Sequence, residues 1–317
     1  MSRFNILILG TVSMDMQLSC TEWPAQNEIG RGQDYELYPC PVLADTVLAL
    51  SRLQMQPMLC AQVGDDLYGK RLHKFFTSAG CDPRTLHIVE GGQTTLRLTL
   101  FDPAGNHRTL LVPGVSARGC HEALGQAFSL GPHAILIKED TPTVLMHMAV
   151  MLAKQLRIPV FLDSWRFPSE EPLDEQAFTV LSLRADQVER AVGICPDGVE
   201  RCLQAAGVLQ HRTGAGYILI RLGHRGCFYY DGAHHNLTSP VGGERKDLSA
   251  SDDVFLAALA VGYLQRGSVF DGAHYADLAA ALTASKVGHS ASIPTAEELT
   301  GYIRQRDPRF LAGGKQG

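Results

Sequence analysis

Between Asp247 and Asp253 the chain sets three carboxylates, Asp247, Asp252 and Asp253, around the small residues Ser249, Ala250 and Ser251. An apolar run from Val254 to Leu264 follows at once. A polar turn feeding such a run opens a helix: Ser249 or Ser251 can cap it, and the two adjacent aspartates suit the positive end of its dipole. An aspartate in a first helical turn can take a proton from an attacking hydroxyl while neighbouring backbone N–H groups hold a phosphate. The competing reading is a plain acidic N-cap. At eleven apolar residues the helix belongs in a core and is too short to cross a bilayer.

The elements around this turn favour the chemical reading, because ligands of open α/β sheets bind where strand ends meet helix N-termini. Asn5–Leu9 is a continuous apolar strand of the kind buried on both faces of a parallel sheet, ended by Gly10, with Asp15 in the loop beyond. Pro41 can open a helix through Leu53. Met58–Val63 reads as a strand leading into Gly64-Asp65-Asp66, and Leu67–Ala79 as a helix closed by Gly80. The Asp65-Asp66 pair reads as a solvated turn in preference to a metal site. Thr94–Phe101 and His107–Val112 alternate, and Asp102-Pro103-Ala104-Gly105-Asn106 joins them as a hairpin with one wet face.

Strand and helix patterns then return in turn: 134–138, 143–156, 159–163, a less readable stretch over 165–195, 197–206, 217–222 and 226–230. After the Lys246–Leu264 element, 273–288 is an alanine-rich helix, and Thr295-x-x-Glu298 is a capping box for a last helix to Arg304. The expected architecture is therefore α/β, three-layered and doubly wound, with a mostly parallel sheet and a small β-flap from parts of 12–40 and 94–112. It is expected as one domain over 1–317, with 306–317 a flexible tail.

Composition narrows the partners. A chain of 317 residues with 45% hydrophobic and 19% charged residues can bury an ample core. Its net charge of −5 and lack of basic runs argue against nucleic acid, and no segment reads as a membrane span. The eight cysteines are scattered without C-x-x-C spacing and read as reduced thiols of a cytoplasmic protein.

The order of these elements resembles the ribokinase-like sugar kinases, the phosphofructokinase-B type, over nearly the whole chain. The resemblance rests on Gly10-x-x-x-x-Asp15, Val63-Gly64-Asp65-Asp66-x-x-Gly69, Asp102-Pro103-Ala104-Gly105-Asn106, Leu162-Asp163, Leu222-Gly223-His224-Arg225-Gly226 and Asp247-x-x-x-x-x-Asp253-x-Phe255. It implies ATP-dependent phosphoryl transfer to a hydroxyl of a sugar or sugar-like small molecule, with ATP and Mg²⁺ as cofactors and a homodimer formed through the flap as an expectation. By resemblance Asp253 is the catalytic base, and Ala250, Ser251 and Asp252 form the anion hole. Ser13, Asp15 and Asp45 contact the sugar; Arg221, Gly223, Gly226, Asp247 and Asp277 contact the nucleotide. No residue is assigned as a direct metal ligand.

The sequence departs from that family where phosphate and sugar would sit. The family's Gly-Ala-Gly-Asp turn is Ala250-Ser251-Asp252-Asp253 here, its Gly-Gly is Cys40-Pro41, and its sugar-binding Asn is Asp45. Its Asn-x-x-Glu, which helps hold magnesium's water shell, aligns with Arg184-x-x-Gln187, with Asp186-x-x-Glu189 as an out-of-register substitute. A carboxylate at Asp252 facing a phosphate costs on the order of 4 kcal/mol per unit of like charge at about 4 Å. Asp252 is therefore expected to limit ATP use unless a cation such as Arg221 neutralises it. The alternative reading is a catalytically impaired relative that keeps the fold as a sugar- or nucleotide-binding regulatory module.

Overall fold

A computed structural model of the chain describes residues 3–23, 26–164, 166, 178–238 and 245–312. The first strand, β1 (Asn5–Leu9), is third from one edge of a nine-stranded sheet and is buried on both faces, as its apolar run requires. On one side it pairs in parallel with β4 (Gln56–Gly64), which pairs with β5 (Leu86–Val89). On the other side follow β8 (Ala134–Lys138), β9 (Val160–Asp163), β10 (Val180–Arg184) and β11 (Tyr217–Arg221), all parallel. An antiparallel margin, β12 (Cys227–Tyr230) and β13 (His235–Leu237), completes the sheet. The chain leaves β1 first to one side and then to the other, so the sheet is doubly wound.

Helices cover both faces. Ile6 and Ile8 pack with α1 (Pro41–Arg52), α2 (Leu67–Ser78), α7 (Ser251–Arg266), α8 (Val269–Ala284) and α10 (Ala296–Arg306). Leu7 and Leu9, pointing the opposite way by the two-residue period, pack with α3 (His121–Ser129), α4 (Thr143–Leu156) and α6 (Val199–Thr213). The short α5 (Ala185–Val192) and α9 (His289–Ser292) complete the helical layers with α11 (Pro308–Ala312). α7 is buried from Asp253 through Gly262, which explains why its sequence is apolar on almost every face.

The flap is a four-stranded sheet in the order β3 (Gly32–Pro39), β2 (Ser13–Cys20), β6 (Thr95–Phe101), β7 (His107–Val112). Its hairpin turn is set by Asp102, whose Oδ1 accepts the N–H groups of Ala104 and Asn106. Asp66 fastens the flap to the main sheet. It caps α2 by accepting from Gly69 N at 2.7 Å, and it also accepts the N–H and hydroxyl of Thr94, each at 2.7 Å. The expected solvated turn at Asp65-Asp66 is therefore a structural node at Asp66.

Two other expectations change. Within 165–195, residues 178–192 contain β10 and α5, hidden in sequence because Ser182 interrupts the apolar run of the strand and the helix is only eight residues long. The expected flexible tail is helical as far as Ala312, because Phe310 packs on His274 and Tyr275 and lies under Arg266. Residues 313–317 of that tail lie outside the described residues. All eight cysteines are unpaired, and no helix among the described residues is long and apolar enough to cross a membrane.

Candidate active site

Four neighbouring strands deliver a charged side chain at or near their C-terminal ends: Lys138 from β8, Asp163 from β9, Arg184 from β10 and Arg221 from β11. Lys138 and Asp163 are register partners, as are Arg184 and Arg221. The first turn of α7 brings Asp252 and Asp253 over this row.

The result is one chain of ion pairs. Lys138 Nζ lies 2.8 Å from Asp253 Oδ1 and 2.7 Å from Asp163 Oδ2. Arg221 Nη2 reaches Asp163 Oδ1 at 3.1 Å, and its Nη1 reaches Asp252 Oδ1 at 2.8 Å. Arg184 Nη1 holds the other oxygen of Asp252 at 3.2 Å and turns its remaining nitrogens to Asp186. Lys138, Asp163, Arg221 and Asp253 are buried, whereas Arg184 and Asp252 are partly open to solvent. Buried charges persist only when paired, and here each has at least one opposite partner.

Protonation follows from that wiring. Burial pushes the Asp253 carboxyl up to about 6, against the opposing pull of Lys138. Asp163 also loses solvation, yet Lys138 and Arg221 together hold it below the usual carboxylate range. Burial opposes the charge on Lys138, but its two carboxylates overcome that and raise its affinity for the proton. Asp253 is thus poised to exchange a proton near neutrality, a property suited to a general base.

Beside the ion pairs lies a cleft walled by Arg184, Arg221, Gly223, Gly226, Asp252 and Asp277, among others. The residues expected at a nucleotide therefore gather there, with one exception. Asp247 is not on the wall; its oxygens accept the N–H and hydroxyl of Ser249 and the N–H of Gly288, which folds the turn before α7. Gly226 has φ of +90°, and a Cβ there would sit 2.3 Å from the carbonyl oxygen of Thr238, so only glycine fits. Thr238 in turn donates to Asp277 at 2.7 Å, and burial pushes the Asp277 carboxyl up to about 6.

Of the expected anion-hole residues, Ala250 is the buried N-cap and Ser251 opens α7. Neither serine caps the helix through its side chain. The Ser251 N–H donates to Leu248, and its hydroxyl is buried with no partner. The like-charge penalty expected from Asp252 does not stand as stated, because two guanidinium groups neutralise that carboxylate.

The expected sugar contacts lie towards the flap. Asp15 is buried, accepting from the Ser13 hydroxyl at 2.7 Å and facing Arg97 at 3.4 Å. Loss of solvation raises its carboxyl more than Ser13 and Arg97 lower it. Asp45, 1% exposed, lies 2.7 Å from His289 Nδ1 and accepts from Ser290. Asp45 and His289 line a cavity of about 450 Å³ with Gln17, Glu36, Tyr38 and Phe75. Asp45 is also close enough to raise the Asp253 carboxyl, so α1 connects this cavity to the ion-pair row. Ser13 and Asp15 are not on the cavity wall, although Gln17 lies on their face of β2.

Mg²⁺ takes oxygen ligands in near-octahedral geometry, commonly one or two carboxylates with substrate phosphates. Around the cleft, Asp163, Asp186 and Asp252 each have both carboxylate oxygens in contact with cationic side chains. No group of three or more His, Cys, Asp or Glu able to hold a metal occurs among the described residues. Asp277 is the one acid on the cleft wall outside an ion pair among the described residues; with Arg184, Arg221 and Arg245 on the same wall, the donor set is a poor fit for the ion.

Sequence reasoning missed Lys138, the centre of the network. The available signal was a lysine closing the apolar run Ala134–Ile137, where a strand buried on both faces would strand an unpaired ammonium.

A doubly wound sheet with an acidic helix N-terminus over its strand ends and a β-flap at its side defines a carbohydrate-kinase architecture. The pfkB family carbohydrate kinase model matches residues 3–296, and the chain belongs to that family. It is 21% identical to the ribokinase of Haemophilus influenzae over 305 residues, covering 95% of this chain and 99% of the relative. The ribokinase of Bacillus subtilis is likewise 21% identical, covering 93% and 98%. Among solved structures, Arabidopsis thaliana ribokinase, complexed with ribose and ATP, superposes with a TM-score of 0.83 at 18% identity, covering 96% of this chain and 99% of that one. Thermotoga maritima ribokinase superposes at 0.79, also with 18% identity, covering 96% and 100%. These likenesses establish the shared fold.

Proposed function

We propose that the protein transfers the terminal phosphoryl group of ATP to a hydroxyl of a sugar or sugar-like small molecule. The observation that carries this reading is Asp253. It is a nearly buried carboxyl in the first turn of α7, next to a cleft lined by guanidinium groups and pushed to about 6. Lys138 fixes its Oδ1, leaving Oδ2 to accept the proton of the acceptor hydroxyl. As that proton leaves, the hydroxyl oxygen bonds to the terminal phosphorus, the bond to the bridging oxygen breaks, and ADP departs. First-turn amides of α7 and the guanidinium groups of Arg184 and Arg221 oppose the charge on the phosphoryl oxygens. The acceptor occupies the flap side, between Asp15 and the cavity of Asp45 and His289. ADP release measured against a panel of pentoses, hexoses and polyols tests the reading: one or more should be turned over, and Asp253→Asn should abolish it.

A second reading, a ligand-binding relative without turnover, is favoured by one specific observation. The candidate base is already ion-paired with Lys138, and Arg184 and Arg221 are already engaged by Asp252. Nucleotide binding without turnover for any acceptor would favour it. We further propose that a second copy covers the flap face bearing Tyr35, Leu110 and Val112, which are 66%, 62% and 44% exposed. Light scattering should then give a dimer, and a monomer at all working concentrations would exclude it.

A further inference from the structure

The charges around the cleft are arranged to receive an anion without a divalent ion. Asp252 gives one oxygen to Arg221 at 2.8 Å and the other to Arg184 at 3.2 Å. Asp186 gives both oxygens to Arg184, and Asp163 divides its two between Lys138 and Arg221. A metal held by Asp163, Asp186 or Asp252 would have to break one of these pairs, and Asp277 is the one acid on the cleft wall outside an ion pair among the described residues. Positive charge, by contrast, is built into the wall: Arg184, Arg221 and Arg245 all line the cleft. Arg221 is 8% exposed, and its Nε is buried with no acceptor, an unmet donor on the most deeply held of the three.

Asp252 is placed as an internal substitute for a phosphate. It projects from the first turn of α7, where the helix dipole favours an anion, and two guanidinium groups grip its carboxylate. Guanidinium forks match phosphate oxygens as well as carboxylate oxygens, and Asp252 is 41% exposed on its side chain, so it can swing into water. Resting on the reading of this cleft as the phosphoryl donor's site, we infer that Arg184 and Arg221 bind the donor's phosphates directly. The phosphates displace Asp252, and nucleotide binding to this chain does not require Mg²⁺.

Calorimetric titration of the full chain with ADP and ATP, in excess EDTA and in excess Mg²⁺, tests this without reference to turnover. The two affinities should agree within about fivefold. Arg221 is too deeply buried to remove safely, so Arg184, 40% exposed, carries the substitution. Arg184→Gln should weaken binding in EDTA by about tenfold or more, and Asp252→Asn should tighten it by releasing both guanidinium groups. An affinity gain above about fivefold on adding Mg²⁺, an unchanged Kd in Arg184→Gln, or weaker binding in Asp252→Asn overturns the inference. If neither nucleotide binds in either buffer, tripolyphosphate in EDTA separates the two readings. Binding that Arg184→Gln removes retains the anion cradle and discards the nucleotide donor; no binding discards the cradle.

Discussion

Lys138→Met removes one ammonium from between two buried carboxylates and keeps an apolar stem in its place. Asp163 retains Arg221, whereas Asp253 loses its one ion-pair partner among the described residues. A unit charge about 4 Å away at an effective dielectric of about 20 contributes about 4 kcal/mol, an upper figure for an ammonium that two acids share. Half of that, about 2 kcal/mol, corresponds to roughly 1.5 pKa units at about 1.36 kcal/mol per unit. The Asp253 carboxyl, already raised to about 6, should therefore rise by about a further 1.5 units in the variant. Its folded-state value lies above the ordinary 3.8, so the folded state holds this proton more tightly than the unfolded chain. The resulting stabilisation is complete below the ordinary value and is lost as pH rises through about 6. In Lys138→Met the loss continues to higher pH, so the stability gap from the parent should widen by about 2 kcal/mol between about pH 5 and about pH 8. Urea unfolding at both pH values reads this directly. An equal gap at the two values would refute the coupling of Lys138 to Asp253.

In the parent protein, turnover should fall as pH drops through about 6, because Asp253 must be ionised to accept a proton; a flat profile down to about pH 5 would assign the base elsewhere. Asp253→Asn should lower kcat by about 10²-fold or more with nucleotide Kd changed by less than about threefold, checked by single turnover and calorimetry. Asp66→Ala removes a helix cap and two further hydrogen bonds to Thr94, so unfolding free energy should fall by about 2–3 kcal/mol, with faster hydrogen exchange at the start of β6. Gly226→Ala forces a Cβ to 2.3 Å from Thr238 O at φ of +90°; the thermal midpoint should drop and the cleft should lose nucleotide affinity.

Much of the fold was legible because periodicity is a local property. The apolar run Ile6–Leu9 of β1, the Thr295–Glu298 capping box and the Asp102 turn announce themselves within a few positions, and each stands in the structure as read. Within 165–195, β10 and α5 escaped because α5 is short and has only Gln187 and Val188 buried. The site was less legible, since charge pairing is decided in space. Asp252 in isolation looks like an obstacle to phosphate; Arg221 could be named as a neutralising cation from the sequence, but Arg184 could not, because it is the sheet that aligns the two at the ends of adjacent strands. Spacing gave no sign that α9 would set His289 against Asp45, or that the oxygens of Asp247 would be used on Ser249 and Gly288. Lys138 stands 115 positions from Asp253, a separation that no spacing rule spans.

Phosphorus NMR of the protein with ATP and a set of candidate sugars, run for the parent and for Asp253→Asn, tests the central claim most directly. The account predicts a new phosphate monoester resonance growing with ADP for at least one acceptor, and none with the variant. ATP that binds yet yields no ester with any acceptor, or ester formation undiminished in Asp253→Asn, would contradict it.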